Sequence, residues 1–454
     1  METNREPANW EAFLEQHAEP TRADLLIADI NGILRGKRVE RSKLESVFES
    51  GVYLAGSVFG LSIEGHTAEA TGLGVAVGDA DKLCYPVPGS LALIPWQEQP
   101  SAQLLLSMHE QDGSPFFADP RHRLRAIQKH FDELGLTIVC AVEMEFYLID
   151  RHRDNDKPQP PLSPVSLRRE NTTQCYSITD LDNYDKFLSD VISSAREQNL
   201  PADSIIAEYA PGQFEVNLHH IDDPLKACDQ AVLLKRVIRN VALKHDMEAT
   251  FMAKPYPDQA GSGTHIHISL LDSSGDNVFV DDSGLTETLE HAVGGLLELM
   301  PDSMALLCPN VNSYKRFDPQ FYAPCTQTWG LDNRTTAIRI PAGSPENTRI
   351  EYRVPGADSN PYLVMATLLA GIHHGLTQKI TPPPLIAGDA IKQAPRSLPE
   401  NLREALSALD QSEILKEYFG EDFISVYMAI RQEELTVFER EITRREYDWL
   451  LTMI

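Results

Sequence analysis

Polar and apolar positions in this chain fall into short alternating runs separated by longer helical ones. In Thr264-His265-Ile266-His267-Ile268-Ser269 the alternation is strict. A β-strand there places His265, His267 and Ser269 on one face and the two isoleucines on the other. Gly261-Ser262-Gly263 precedes it, a loop that lets a ligand approach the backbone closely. Ala141–Phe146 alternates in the same way and puts Glu143 and Glu145 on a shared face. Glu208 and Glu215 flank Pro211-Gly212, a turn dipeptide that predicts adjacent strands. Arg349-Ile350-Glu351-Tyr352-Arg353 gives a strand face of three charges.

The rest of the chain is organised around these runs. Asn31-Gly32 lies between the apolar runs Leu25–Ile30 and Ile33–Val39 and predicts a hairpin. Further glycine-punctuated runs, ending in a strand over Gln103–Met108, predict a small sheet-rich domain over 21–115 after a leading helix in 1–20. The turn-rich Gln111–Pro115 marks its end, and a larger domain with a helical C-terminal tail occupies 116–454. Asp119, Pro120 and Gly135 bracket a helix as N-cap, first position and stop. A strand follows over 136–149, then an exposed loop around 157–164. Helices are expected at 182–199, 224–245, 286–300, 361–379, 399–409 and 421–450. Strands are expected at 204–208, 214–218, 248–254, 264–270, 336–341 and 349–354. They pair as hairpins, so the class is α+β rather than a doubly wound sheet.

Composition narrows the function. A net charge of -27 over 454 residues argues against a nucleic-acid binder and suits a protein that attracts cations, metal ions and polyamines included. The six cysteines form no C-x-x-C pair, so neither a zinc cluster nor a disulfide framework is expected. The start Met-Glu-Thr-Asn-Arg-Glu lacks a signal-peptide pattern, and the apolar Pro361–Gly375 is too short and too broken by His373 and His374 to span a bilayer. A cytoplasmic enzyme is the expectation.

Glu143, Glu145, Glu208, Glu215, His265 and Glu351 supply six metal-ligand side chains from separate strand regions. Taken singly, each has an ordinary alternative: a hydrogen-bonded strand histidine, a charged hairpin end, an ion-pair ladder around Glu351. Together, five carboxylates and one imidazole suit Mg²⁺ or Mn²⁺ better than zinc. Arg316, Arg334, Arg339, Arg349 and Arg353 add enough positive charge to hold a polyphosphate beside a carboxylate substrate. Metal plus arginine clamping is what phosphoryl transfer requires.

Seven motifs in order resemble the glutamine synthetase family over nearly the whole chain. They are Glu143-x-Glu145-Phe146, Pro211-Gly212-Gln213-x-Glu215, Lys254-Pro255 leading into Gly261-Ser262-Gly263-x-His265-x-His267, and Asn312-Ser313-Tyr314-Lys315-Arg316. Asn333-Arg334 through Arg339-Ile340-Pro341, Arg349-Ile350-Glu351-x-Arg353 and Asn360-Pro361-Tyr362 complete the set. The resemblance implies an N-terminal β-grasp-like domain and a larger catalytic domain of antiparallel strands and helices. It also implies homo-oligomers of hexameric rings, a dodecamer by the apolar tail, with each active site completed by a neighbour.

By the same resemblance, Glu145, Glu208 and Glu215 hold one metal, and Glu143, His265 and Glu351 the other. His267, Ser269, Arg339 and Arg349 contact ATP, Arg334 stabilises the transferring phosphoryl group, and Gly261, Arg316 and Arg353 hold L-glutamate. ATP phosphorylates the γ-carboxylate, and an amine then displaces phosphate. Three positions depart from the ammonia-using members: Ala55 and Tyr322 stand where those carry acids, and Ala260 replaces an asparagine. The pocket this leaves is wider and less anionic, with the amine running past Phe321, Tyr322 and Trp329, and Asp318 or Tyr322 as candidate base. The pattern resembles the branch that ligates putrescine or another polyamine. A monoamine or aromatic-amine ligase, an ammonia-using glutamine synthetase and a non-catalytic relative are the alternatives.

Overall fold

The computed structural model describes residues 10–17, 19–172 and 174–454. Within the leading segment a helix α1 spans Trp10–Gln16; the remainder of the helix expected over 1–20 falls largely on residues outside those described. The first sheet is built from β1 (Arg22–Ala28), β2 (Leu34–Glu40), β3 (Val52–Ala55), β4 (Asp81–Pro86), β5 (Ala92–Leu93) and β6 (Ser101–His109), in the order β2-β1-β6-β4-β3 with β5 on β6. The β1–β2 hairpin turns at Asn31-Gly32, Gly32 lying at φ 71. β1 and β6 run parallel, which the hairpin pattern did not predict. A short helix α2 (Leu44–Ser50) was also not expected.

Helix α3 (Pro120–Leu134) follows the predicted signals. The Asp119 side chain accepts from the Arg121 N–H, and Gly135 stops the helix in the left-handed conformation, at φ 69. The second sheet contains β7 (Thr137–Asp150), β8 (Ala202–Ala207), β9 (Gln213–Leu218), β10 (Met247–Thr250), β11 (Thr264–Leu271), β14 (Trp329–Leu331), β15 (Ile338–Ile340) and β16 (Ile350–Tyr352). Their order is β14-β15-β16-β11-β7-β9-β8 with β10 on β7, and a small hairpin β12 (Val280–Asp281) and β13 (Gly284–Leu285) stands apart. All pairs in it are antiparallel except β14–β15.

The helices are α4 (Ile178–Asn183), α5 (Asp185–Glu197), α6 (Pro224–Lys244), α7 (Glu287–Leu307), α8 (Pro361–Gln378), α9 (Ala390–Gln393), α10 (Leu402–Gln411), α11 (Glu413–Phe419), α12 (Glu421–Arg440) and α13 (Arg444–Leu450). Two expected helices are split. The one over 182–199 breaks at Tyr184, and the one over 421–450 breaks after Arg440 and restarts at a Thr443–Glu446 capping box. Helix α7 continues through Pro301 to Leu307, longer than expected.

Burial explains why the sheet presents one polar face. Val142, Met144, Phe146, Val216, Ile266 and Ile268 are fully buried on the other, with α6 packed against β7. Helices α7 and α8 meet closely because Gly295 and Gly375 lack side chains; a Cβ on Gly295 would lie 2.1 Å from the Gly371 carbonyl. The first sheet is fastened to the second part of the chain at Asn360, whose amide donates to the carbonyls of Asp29 (3.0 Å) and Ile30 (3.1 Å). Arg236 adds an ion pair to Asp24 at 2.7 Å. Among the described residues, no helix is long and apolar enough to cross a membrane.

Candidate active site

Register, more than sequence separation, builds the site. Across the second sheet Arg339 pairs with Glu351 and Glu351 with His267; one rung along, His265 pairs with Glu143 and Glu143 with Asn217; the next rung sets Glu145 against Glu215. Side chains two residues apart share a face, so three rungs converge on one cleft of about 560 Å³. Glu208 joins from the end of β8, where its N–H donates to the Gln213 carbonyl across the Pro211-Gly212 turn. Arg316, Arg334, Arg349 and Arg353, with Gly261 and Tyr322, line the same cleft.

The hydrogen bonds divide the cleft in two. On one side Arg349 Nε donates to His267 Nδ1 at 3.1 Å, which leaves His267 Nε2 to donate to Glu143 at 2.7 Å. His265 Nδ1 lies 3.1 Å from the other Glu143 oxygen. Glu351 is clamped by Arg353 at 2.6 Å and Arg339 at 2.7 Å. Burial alone would raise both carboxyls. For Glu143 the hydrogen bonds from His265 and His267 outweigh it and hold the group well below the carboxylate range. For Glu351 the nearby Arg353, with His265 and His267, holds the group at about 2. Burial pushes His265 down to about 4.

The other side is a set of like charges. Burial drives Glu145 up to about 8, with Glu208 adding repulsion, although Arg316 and the Gly263 N–H (2.8 Å) favour the anion. Burial also raises Glu208 and, with repulsion from Glu143, Glu145 and Glu208, lifts Glu215 well above its ordinary value. Buried carboxylates arranged like this stay charged only beside a cation. Donor atoms lie within 4.8 Å of one another in two sets, Glu143/Glu215/His265 and Glu143/His267/Glu351. These share Glu143 and include His267, a different division from the expected one. The donor chemistry, oxygen-rich with imidazole, fits a hard divalent ion.

The glycines before β11 are required by Arg316. A Cβ on Gly261 would lie 2.6 Å from both the Ala253 carbonyl and Arg316 Cγ, and one on Gly263 would lie 2.4 Å from Arg316 Nη2. Arg316 itself is fixed by donating to the carbonyls of Val354 (2.8 Å) and Arg353 (3.2 Å).

Two expectations are corrected, and a third residue falls in an adjoining cleft. Ser269 lies on the predicted strand face but lines a neighbouring cleft of about 730 Å³, which shares Glu143, His267 and Arg349 with the first. Trp329 is buried, its indole N–H donating to the Pro383 carbonyl at 2.7 Å, and does not line the cleft. Asp318 accepts from the Gln320 N–H and is likewise absent from the lining. Conversely, Asn217, which no motif marks, and Gln213, named only within the Pro-Gly motif, line the cleft. The alternation that picks Glu215 puts both on its face; Gln213 Nε2 donates to the Gly261 carbonyl at 3.1 Å.

The model of the glutamine synthetase catalytic domain matches residues 117–450. The chain belongs to the glutamine synthetase family. It is 44% identical over 441 residues to the γ-glutamylputrescine synthetase PuuA of Escherichia coli K12, covering 97% of this chain and 93% of that protein. It is 33% identical to a glutamate–isopropylamine ligase of a Pseudomonas species, covering 93% of each. Two solved GmaS structures, one without ligand and one with ADP, superpose with a TM-score of 0.84 at 27% identity, covering 97% of this chain and 99% of theirs.

Within this glutamine synthetase fold the three departures separate. Tyr322 lines the cleft at a left-handed φ of 56, and buried Ala260 lines it too, its carbonyl accepting from Tyr147 at 2.6 Å. Ala55 ends β3 in the first sheet and does not reach the cleft of its own chain.

Proposed function

We propose that this chain is the ATP-dependent ligase that joins the γ-carboxylate of L-glutamate to putrescine or a closely related polyamine. One observation carries the amine choice. Among the described residues the carboxylates lining the cleft are Glu143, Glu145, Glu208, Glu215 and Glu351; with all five assigned to metal in this reading, none is left to receive an ammonium ion.

In this reading Glu145, Glu208 and Glu215 hold one divalent ion, and Glu143, His265 and Glu351 a second, Mg²⁺ or Mn²⁺. When bound, the ions neutralise phosphate charge and make the γ-phosphorus more electrophilic. His267, Ser269, Arg339 and Arg349 hold the nucleotide, Ser269 from the adjoining cleft. Gly261, Arg316 and Arg353 hold glutamate, and Arg334 faces the transferring phosphoryl group. The γ-carboxylate attacks the γ-phosphorus of ATP, releasing ADP and forming an acyl phosphate. The amine nitrogen then attacks the acyl carbon, expelling phosphate and giving up a proton. Tyr322, at the cleft and half exposed, is the candidate to pass that proton outward.

We further propose a cytoplasmic enzyme with a 21–115 domain ahead of the catalytic one, assembled as paired hexameric rings. The apolar tail supports the pairing: Trp449, Leu451, Met453 and Ile454 are exposed, and α13 buries nothing against its own chain. Mass measurement in solution distinguishes six subunits from twelve.

The deciding assay is phosphate release with glutamate, ATP and Mg²⁺ against a panel of putrescine, isopropylamine, ethanolamine and ammonium. Putrescine should give the highest kcat/KM; equal or better turnover of ammonium overturns the reading.

A further inference from the structure

The proposed substrate is a diamine, and only one of its nitrogens reacts. The other stays protonated near neutrality, as alkylammonium groups do. It must be placed somewhere, and the cleft floor is unsuitable: in the ligase reading its carboxylates are taken up by metal, and five arginines repel a second positive charge.

Elsewhere the lining carries aromatic rings among small, apolar and amide side chains. Tyr176, Tyr209, Phe321 and Tyr322 belong to the same cleft. Tyr209 and Phe321 meet edge to face, with centroids 5.8 Å apart at 71°. Lys254 Nζ sits 4.4 Å from the Phe321 centroid, so that ring is already taken by a cation and the diamine's ammonium is left to the tyrosines. Tyr176 and Tyr322 both have left-handed backbones, at φ 60 and 56, an unfavourable conformation for a bulky residue. Such strain persists where the surroundings enforce a particular side-chain placement. Both rings are also more than half exposed, so solvent-avoiding packing does not account for them.

We propose that Tyr176 and Tyr209 form an aromatic rim that receives the distal ammonium of the diamine through cation–π contact. The inference rests on the ligase reading above and adds the means of selecting a diamine. Repulsion from the arginines orients the substrate, its charged end outward and its uncharged, reacting nitrogen inward. Phe321, held between Lys254 and Tyr209, braces the rim.

The test compares putrescine with n-butylamine, which has the same four-carbon chain and no second nitrogen. The ratio of their kcat/KM values should fall roughly tenfold in Tyr209→Leu and be kept in Tyr209→Phe, since the ring and not the hydroxyl makes the contact. Tyr176→Leu, at an exposed position, repeats the measurement independently of any folding defect in the first variant. An unchanged ratio in both leucine variants, or an equal loss in the phenylalanine variant, overturns the rim alone. Absence of amine-dependent turnover in the unaltered enzyme overturns the ligase reading and the rim with it.

Discussion

Glu145 and Glu215 stand directly opposite each other across β7 and β9, both buried. Two carboxylates so placed oppose folding until a cation joins them. Glu215→Gln should therefore raise the melting temperature of the metal-free protein by about 2–4 °C, the shift that roughly 1 kcal/mol gives in a large domain. The same change should shrink the further stabilisation produced by Mg²⁺ or Mn²⁺. Thermal melts in chelator and in millimolar cation check both signs. A variant that melts lower without cation, yet responds to it fully, contradicts the arrangement.

The two glycines before β11 should separate stability from substrate binding. Alanine at Gly261 strikes the Ala253 backbone carbonyl, which cannot yield cheaply, so Gly261→Ala should lower the melting temperature. Alanine at Gly263 strikes the Arg316 guanidinium, the movable end of a side chain. Gly263→Ala should fold, and displacement of Arg316 should raise the KM for glutamate about tenfold or more. Steady-state kinetics beside thermal melts distinguishes the two.

Much of this site was legible because strand alternation is local. Glu143 with Glu145, and His265 with His267, lie on shared faces for no reason beyond a period of two, and helix α3 follows from Asp119, Pro120 and Gly135. Which strands lie side by side is not local. The rung joining Glu145 to Glu215 follows from the Pro211-Gly212 hairpin only once β9 is known to pair with β7. The break between α12 and α13 was hidden because both flanks are helical in composition. Trp329 was misplaced because exposure of an aromatic ring depends on whether its N–H finds a buried acceptor, here Pro383. The rim tyrosines Tyr176 and Tyr209 sit in turns, where no period marks them.

Lys235, buried on α6, gives a pH signature apart from the metal cluster. It donates to the Ala357 carbonyl at 2.7 Å and the Ser359 carbonyl at 3.0 Å, bracing the loop after β16. Burial, with Arg239 nearby, lowers it to about 7, while Asp358 opposes the shift. Between pH 7 and about 10.4 the unfolded chain thus binds more protons than the folded one, and stability rises with pH. Relative to Lys235→Met, the wild type should gain up to about 1.4 kcal/mol per pH unit across that range. At pH 7 the variant should already be less stable, since two buried carbonyls lose their donor. Melting temperatures of both proteins at pH 7, 8 and 9 give the difference directly, and a constant gap contradicts it.

Arg334 is the cleft arginine without a hydrogen-bonded partner, and it favours the Glu208 carboxylate only through space. Arg316, Arg339, Arg349 and Arg353 each hydrogen-bond a neighbour, whereas Arg334 makes no hydrogen bond or ion pair among the described residues. A cation kept in a cleft without a hydrogen-bonded partner is available to charge that develops during reaction, where a preorganised donor contributes about 10²–10³ in rate. Arg334→Ala should leave the melting temperature unchanged and cut kcat by about that factor, with a much smaller effect on the KM for glutamate. Lysine restores the charge but not the planar fork, so Arg334→Lys should recover only part of the rate. A large loss of thermal stability in the alanine variant would instead make Arg334 a structural residue, and the kinetic assignment would fall with it.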